Sequence, residues 1–133
     1  MPDIKLAKLD KNGGLPEIEI VIGQAQFGRY SFSLWDATGH NPVVVREGVN
    51  TDGIPDIFVI DKTVGIQTVD DLNGRFFSWS VNIAAFSNSP GQLYSVAIHI
   101  RQKGNDVPDA PFISQGPLTG AEVVADGVKF VTQ

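Results

Sequence analysis

Glycine and proline recur along nearly the whole chain, and the gaps they leave are mostly too short for a helix. Fourteen glycines and eight prolines fall among 133 residues. In a helix interior a glycine costs about 1 kcal/mol and a proline about 3 kcal/mol relative to alanine. The longest uninterrupted stretch, Arg75 to Ser89, alternates with period two rather than 3.6. Short strands joined by many turns are the organisation that survives this punctuation.

Alternation locates the strands. Ile4 to Leu9 is a first, imperfect one. Glu17 to Ile22 sets three isoleucines opposite two glutamates. Between Arg29 and Trp35, Tyr30, Phe32 and Leu34 point inward, while Ser31, Ser33 and Trp35 point outward. Val43 to Arg46 and Ile57 to Ile60 are continuous apolar runs, suited to strands covered on both faces or lying at a sheet corner. Phe77, Trp79, Val81 and Ile83 alternate with Ser78, Ser80 and Asn82. Tyr94, Val96, Ile98 and Ile100 alternate with Ser95, Ala97, His99 and Arg101. Val123 to Ala125 and Val128 to Val131 close the chain.

The turns follow from residue chemistry. Asp126-Gly127, between two valine-containing runs, suits a type I′ hairpin, and Asn12-Gly13-Gly14 a similar turn. Ser87 to Gln92 joins the two longest strands as an antiparallel pair. Thr68 to Leu72, stopped by Asn73-Gly74, is the one short helical turn expected, with Thr68 as its N-cap, crossing between sheets. Gly104 to Pro111 reads as a long loop before a final hairpin. The expected fold is therefore all-β: one domain over 1–133, a two-sheet antiparallel β-sandwich of eight to nine strands, immunoglobulin-like or jelly-roll.

Composition narrows the function. Hydrophobic residues make up 42% and charged residues 19%, as in an ordinary globular domain. Fifteen acidic residues against ten basic ones give a net charge of -5, which argues against a nucleic-acid surface. No apolar run reaches the roughly 20 residues of a membrane span. With no cysteine, thiol nucleophiles, thiolate metal sites and disulfides drop out together. Met1 to Lys5 lacks the basic and apolar segments of a secretory signal, so the cytoplasm is the expected location.

Catalytic patterns are sparse. There is no Gly-Lys-Ser or Gly-Lys-Thr phosphate loop and no Gly-x-Ser-x-Gly elbow. His40 and His99 are the two histidines, and Asp70-Asp71 reads as support for a helical turn rather than a carboxylate pair. No enzyme activity and no cofactor are expected.

Three features remain. The stretch Gly48 to Asp56 places Asn50, Asp52 and Asp56 at spacings that resemble the third, fifth and ninth positions of a calcium loop. Gly53 stands at the sixth. The first and twelfth positions are Gly48 and Val59, which supply no side-chain ligand. Trp35, with Asp36, His40 and Asn41 beside it, forms a candidate sugar platform of one ring and several polar groups; Phe76 and Phe27 are further outward aromatics. Finally, Ser31, Ser33, Ser78, Ser80, Asn82, Ser95, Ala97 and His99 are outward and small or uncharged. Solvated sheet faces usually carry charges that block unwanted pairing. Such a face predicts a homo-oligomer or a protein partner. The expected function is a non-catalytic module acting by assembly or partner binding. The alternative is a carbohydrate- or calcium-dependent ligand-binding module using the loops at 35–41 and 48–56.

Overall fold

The computed structural model describes residues 5–23, 26–50, 55–85, 92–118 and 120–133. Within these residues ten strands form two packed sheets: β1 (Leu6–Leu9), β2 (Glu17–Ile22), β3 (Gln26–Leu34), β4 (Val43–Asn50), β5 (Asp56–Val59), β6 (Phe76–Ala85), β7 (Leu93–Gln102), β8 (Asn105–Asp106), β9 (Phe112–Pro117) and β10 (Ala121–Thr132). The first sheet runs β1-β10-β6-β3-β4. The second runs β5-β2-β7, with β8 and β9 both on the far side of β7. All pairings are antiparallel except β1 with β10, which is parallel.

The inner faces follow the alternation. Tyr30, Phe32 and Leu34 of β3 and Phe77, Trp79, Val81 and Ile83 of β6 are buried against Ile18, Ile20 and Ile22 of β2 and Val96, Ile98 and Ile100 of β7. Aromatic rings tie the layers together: Phe32 meets Phe58 edge-on at 5.0 Å between centroids, and Trp79 reaches Phe112 at 6.3 Å. Each such side chain contributes about 1.5–3 kcal/mol by leaving water. Between β5 and β6 the chain crosses from the second sheet to the first through two 3-10 turns, Lys62–Val64 and Val69–Leu72. Ile60, Ile66, Val69 and Leu72 are buried along this crossover. The carboxylate of Asp71 accepts the Gln67 and Thr68 backbone N–H groups and so fixes the start of the second turn.

Several expectations about connection need correction. Asp126-Gly127 is not a hairpin turn: it lies inside the single twelve-residue strand β10. A Cβ at Gly127 would meet Phe77 O at 2.9 Å and Ser78 Cα at 3.3 Å, so its bareness lets β6 approach. The two-residue turn is Lys103-Gly104, with φ of 51° and 81°, closing Gln102 against Asn105. The stretch read as one long loop therefore holds a turn and β8, and it is followed by β9, which was not anticipated as a strand. The final hairpin expected after it is absent among the described residues, because Val123–Ala125 and Val128–Val131 belong to the one strand β10, while β9 pairs with β7 in the other sheet.

Likewise β6 and β7, expected to pair with each other, belong to different sheets; the loop between them, and the side chain of Phe27, lie outside the described residues. Asn12-Gly13-Gly14 also passes between sheets rather than closing a hairpin. β4 and β5 are edge strands and not doubly covered ones, so Val43, Val44, Val49, Ile57 and Val59 are exposed. The expected serine-rich face divides in two. Ser31, Ser33, Ser78, Ser80 and Asn82 share the outer face of the first sheet, whereas Ser95, Ala97 and His99 belong to the second sheet.

Candidate functional site

The loop after β3 brings Asp36, Thr38, His40 and Asn41 together, and the Asp36 carboxylate, the Thr38 hydroxyl and the Asn41 amide nitrogen are engaged within it. Asp36 Oδ1 accepts the backbone N–H groups of Thr38 and His40, both at 2.9 Å, and the Thr38 hydroxyl at 2.6 Å. Its Oδ2 accepts the Asn41 side-chain amide at 2.8 Å. The Thr38 hydroxyl and three further donors hold the Asp36 carboxyl well below the usual carboxylate range. Asn41 takes φ 54°, a left-handed conformation that asparagine tolerates in turns. Trp35 turns away from this cluster onto the outer face of the first sheet, where its Nε1 donates to Ser78 Oγ at 2.9 Å. Ring and polar groups are neighbours in sequence, yet the Asp36 and Asn41 groups that would meet sugar hydroxyls already have partners.

Asp56 is also engaged. It accepts Arg46 Nε at 2.9 Å and Arg46 Nη2 at 2.6 Å, and the Tyr30 hydroxyl at 2.5 Å. Those hydrogen bonds, from Arg46 first, hold its carboxyl below the ordinary range. Asp52 and the side chain of Asn50 lie outside the described residues. Among the described residues, no three histidine, aspartate or glutamate side chains converge as metal ligands do.

A charged cluster that sequence reading missed lies on the outer face of the second sheet. Arg101 Nη1 stands 2.9 Å from Glu19 Oε1 and its Nε 3.4 Å from Asp106 Oδ1, which His99 Nδ1 approaches at 3.1 Å. The alternation places His99 and Arg101 on one face of β7. Only the pairing of β7 with β2 and the Lys103-Gly104 turn bring Glu19 and Asp106 to them. Arg101 thus meets two carboxylates within the cluster.

The outer face of the first sheet differs. Its pairing sets out cross-strand rows over β4, β3, β6 and β10: Val49, Arg29, Asn82, Val123; then Glu47, Ser31, Ser80, Ala125; then Val44, Ser33, Ser78, Gly127. Trp35 and Phe76 follow at one end, with Lys129 Nζ 5.7 Å from the Phe76 ring centre. Over Arg29, Ser31, Glu47, Ser80 and Asn82 lies a depression of about 410 Å³. A second, of about 390 Å³, adjoins it through Arg29, Val49 and Asn82 and ends on Ala121 and Val123. Among the described residues, Arg29 and Glu47 have neither an ion-pair nor a hydrogen-bond partner, although both are exposed and charged.

Compared with known proteins, the chain matches no family model, and neither the curated proteins nor the solved structures offer a match. No described helix is long and apolar enough to cross a membrane.

Proposed function

We propose that the protein is a non-catalytic binding module that engages a protein partner through the outer face of the first sheet. The carrying observation is the contrast in satisfaction between sites. The loop at 36–41, the Arg46–Asp56 pair and the Arg101 cluster each spend their polar groups internally. Among the described residues, Arg29 and Glu47 remain free on a face whose centre is Ser31, Ser33, Ser78 and Ser80. Small side chains allow a second surface to come close, while apolar Val44, Val49 and Val123 around them supply area to bury. The partner-binding reading is thereby favoured over a sugar or calcium site in the loops.

The test places a photo-reactive benzoylphenylalanine at position 80, on this face, or at position 95, on the opposite sheet. Covalent adducts formed in an extract of the source organism are then identified by mass spectrometry. Adducts from position 80 and few from position 95 are expected. Equal labelling from both, or a silent position 80, overturns the reading.

A further inference from the structure

We infer that the partner is a second copy of this chain, docked face to face about a two-fold axis that pairs Arg29 of each copy with Glu47 of the other. This rests on the first sheet's outer face being the binding surface, and it follows from how that face is laid out. An isologous contact must be complementary to itself, so every charge on the patch needs its opposite at the position the two-fold carries it to.

Arg29 lies opposite Val49 in the β3–β4 pairing, and Glu47 stands two residues along β4. The two charged residues are therefore diagonal neighbours, about 7–8 Å apart at the backbone. That is close enough for an ion pair within one chain, yet the side chains do not form one. Between them and alongside them lie Ser31 and its cross-strand neighbour Ser80. An axis in the plane between two such faces, crossing the strands obliquely midway between Arg29 and Glu47 and passing between Ser31 and Ser80, exchanges Arg29 with Glu47. Ser31 and Ser80 flank that axis and come against their own or each other's copies, a position that calls for small side chains. The hydroxyls can pair with each other or with trapped water, so their burial leaves no polar group unsatisfied.

Charge complementarity here is local. Each chain carries a net charge of -5, so the long-range field opposes association, and the reciprocal pairs supply the attraction at contact. The other cations on this face stand far from Glu47: Lys129 lies over Phe76 at the far end of the sheet, and Lys8 is on β1 at the opposite edge from β4, so neither competes for Glu47.

The experiment measures mass in solution by sedimentation equilibrium for the intact chain. The wild type is expected to dimerise in the micromolar range. Arg29→Glu and Glu47→Arg should each weaken self-association by about tenfold or more, since each sets two like-charge contacts across the axis. Mixing the two variants is the decisive arm. One then carries two acidic groups and the other two basic groups at the same sites, and the heterodimer regains both ion pairs. Association in the mixture at near wild-type strength is the expected result. It also shows that both variants are folded. Ser80→Arg should abolish the dimer, while Ser95→Arg on the other sheet should leave it intact. A monomeric wild type overturns the inference, as does a dimer indifferent to either charge reversal, or a mixture with no recovery. Where the chain is monomeric but the probe at position 80 couples to a different protein, the identity of the partner is at fault. Where that probe is silent, the face itself is at fault.

Discussion

Arg46 and Asp56 form a two-pronged ion pair that bridges the sheets at one edge of the sandwich. Arg46 belongs to β4, the last strand of the first sheet, and Asp56 to β5, the last strand of the second. The Tyr30 hydroxyl donates to the same carboxylate from the inner face of β3. Arg46 also lies 5.9 Å from the centre of the Phe58 ring, so its stem and its charge both serve the closure. The rest of the described core between the sheets is largely apolar.

This pair makes stability pH-dependent in the acid range. The folded protein holds the Asp56 carboxyl below its ordinary value, so the folded state binds that proton less tightly than the unfolded chain. The stabilisation is complete above the unfolded value of about 4 and is lost as pH falls through the depressed folded value. Urea midpoints should be level through neutral pH and drop below about pH 4. Asp56→Asn should remove about 1–2 kcal/mol at pH 7, modest because Arg46 is half-exposed and screened. The same variant should show a shallower acid fall; an unchanged acid slope would count against the pair.

Tyr30 governs the alkaline side. Burial, followed by the hydrogen bond to Asp56, pushes its hydroxyl well above the ordinary tyrosine value. The neutral form is thus favoured in the folded state. Its contribution is present below about pH 10 and is lost as pH rises beyond that value. Absorbance at alkaline pH should show Tyr30 ionising only as the protein unfolds. In Tyr30→Phe that coupled step should vanish.

Gly48 faces Tyr30 across the β3–β4 pair, and a Cβ there would stand 2.6 Å from the Tyr30 Cζ and 2.8 Å from its Cε2. Tyr30 cannot swing away cheaply, since it is buried, packs edge-on to Phe32 at 6.0 Å and is hydrogen-bonded to Asp56. Gly48→Ala should therefore cost about 1–3 kcal/mol as overpacking does. Equilibrium unfolding in urea measures it, and a loss under half a kcal/mol would show that the ring has room to move.

Gln102 is a buried polar side chain with every hydrogen bond accounted for by the turn between β1 and β2. Its Oε1 accepts the Asp10 N–H at 2.9 Å, and its Nε2 donates to Asp10 O and Gly14 O at 2.9 and 2.8 Å. Gln102→Leu keeps the volume and removes all three bonds, leaving backbone groups of the turn unpaired. A loss of about 1–3 kcal/mol is expected. Hydrogen exchange at the Asp10 amide should accelerate by more than that at Phe77 in the core.

The two tryptophans report on the two faces. Trp79 is 3% exposed within the aromatic core, while Trp35 is half-buried on the outer face. In Trp79→Phe the remaining emission, from Trp35, should be quenched by acrylamide far more readily than that of Trp35→Phe. Equal quenching would mean that Trp35 has closed into the sandwich.

Much of the strand content and the inward set were legible in the chain itself. Tyr30, Phe32, Leu34, Phe77, Trp79 and Val81 needed only period-two alternation, because successive side chains of an extended backbone must leave on opposite sides. Thr68 and Gly74 likewise bracket the turn that their side-chain and backbone chemistry predicts. β9 escaped notice because Gln115, Gly116 and Pro117 break any apolar alternation after Ile113. It is held by its ladder to β7 and by buried Phe112.

What the sequence could not decide is which strand lies beside which. Ladder hydrogen bonds join backbone groups that are the same in every residue, so a strand carries its facing but not its neighbour's name. That choice is made when the whole core packs at once. It put Ser95 on the far side of the molecule from Ser31 and Ser80. It turned Asp126-Gly127 from a hairpin into mid-strand residues, and it carried Asp56 to Arg46 and Tyr30 rather than to a loop of its own. The same choice set Arg29 and Glu47 on a diagonal beside Ser31, an arrangement fixed by alternation within β3 and β4 and assembled only by their pairing.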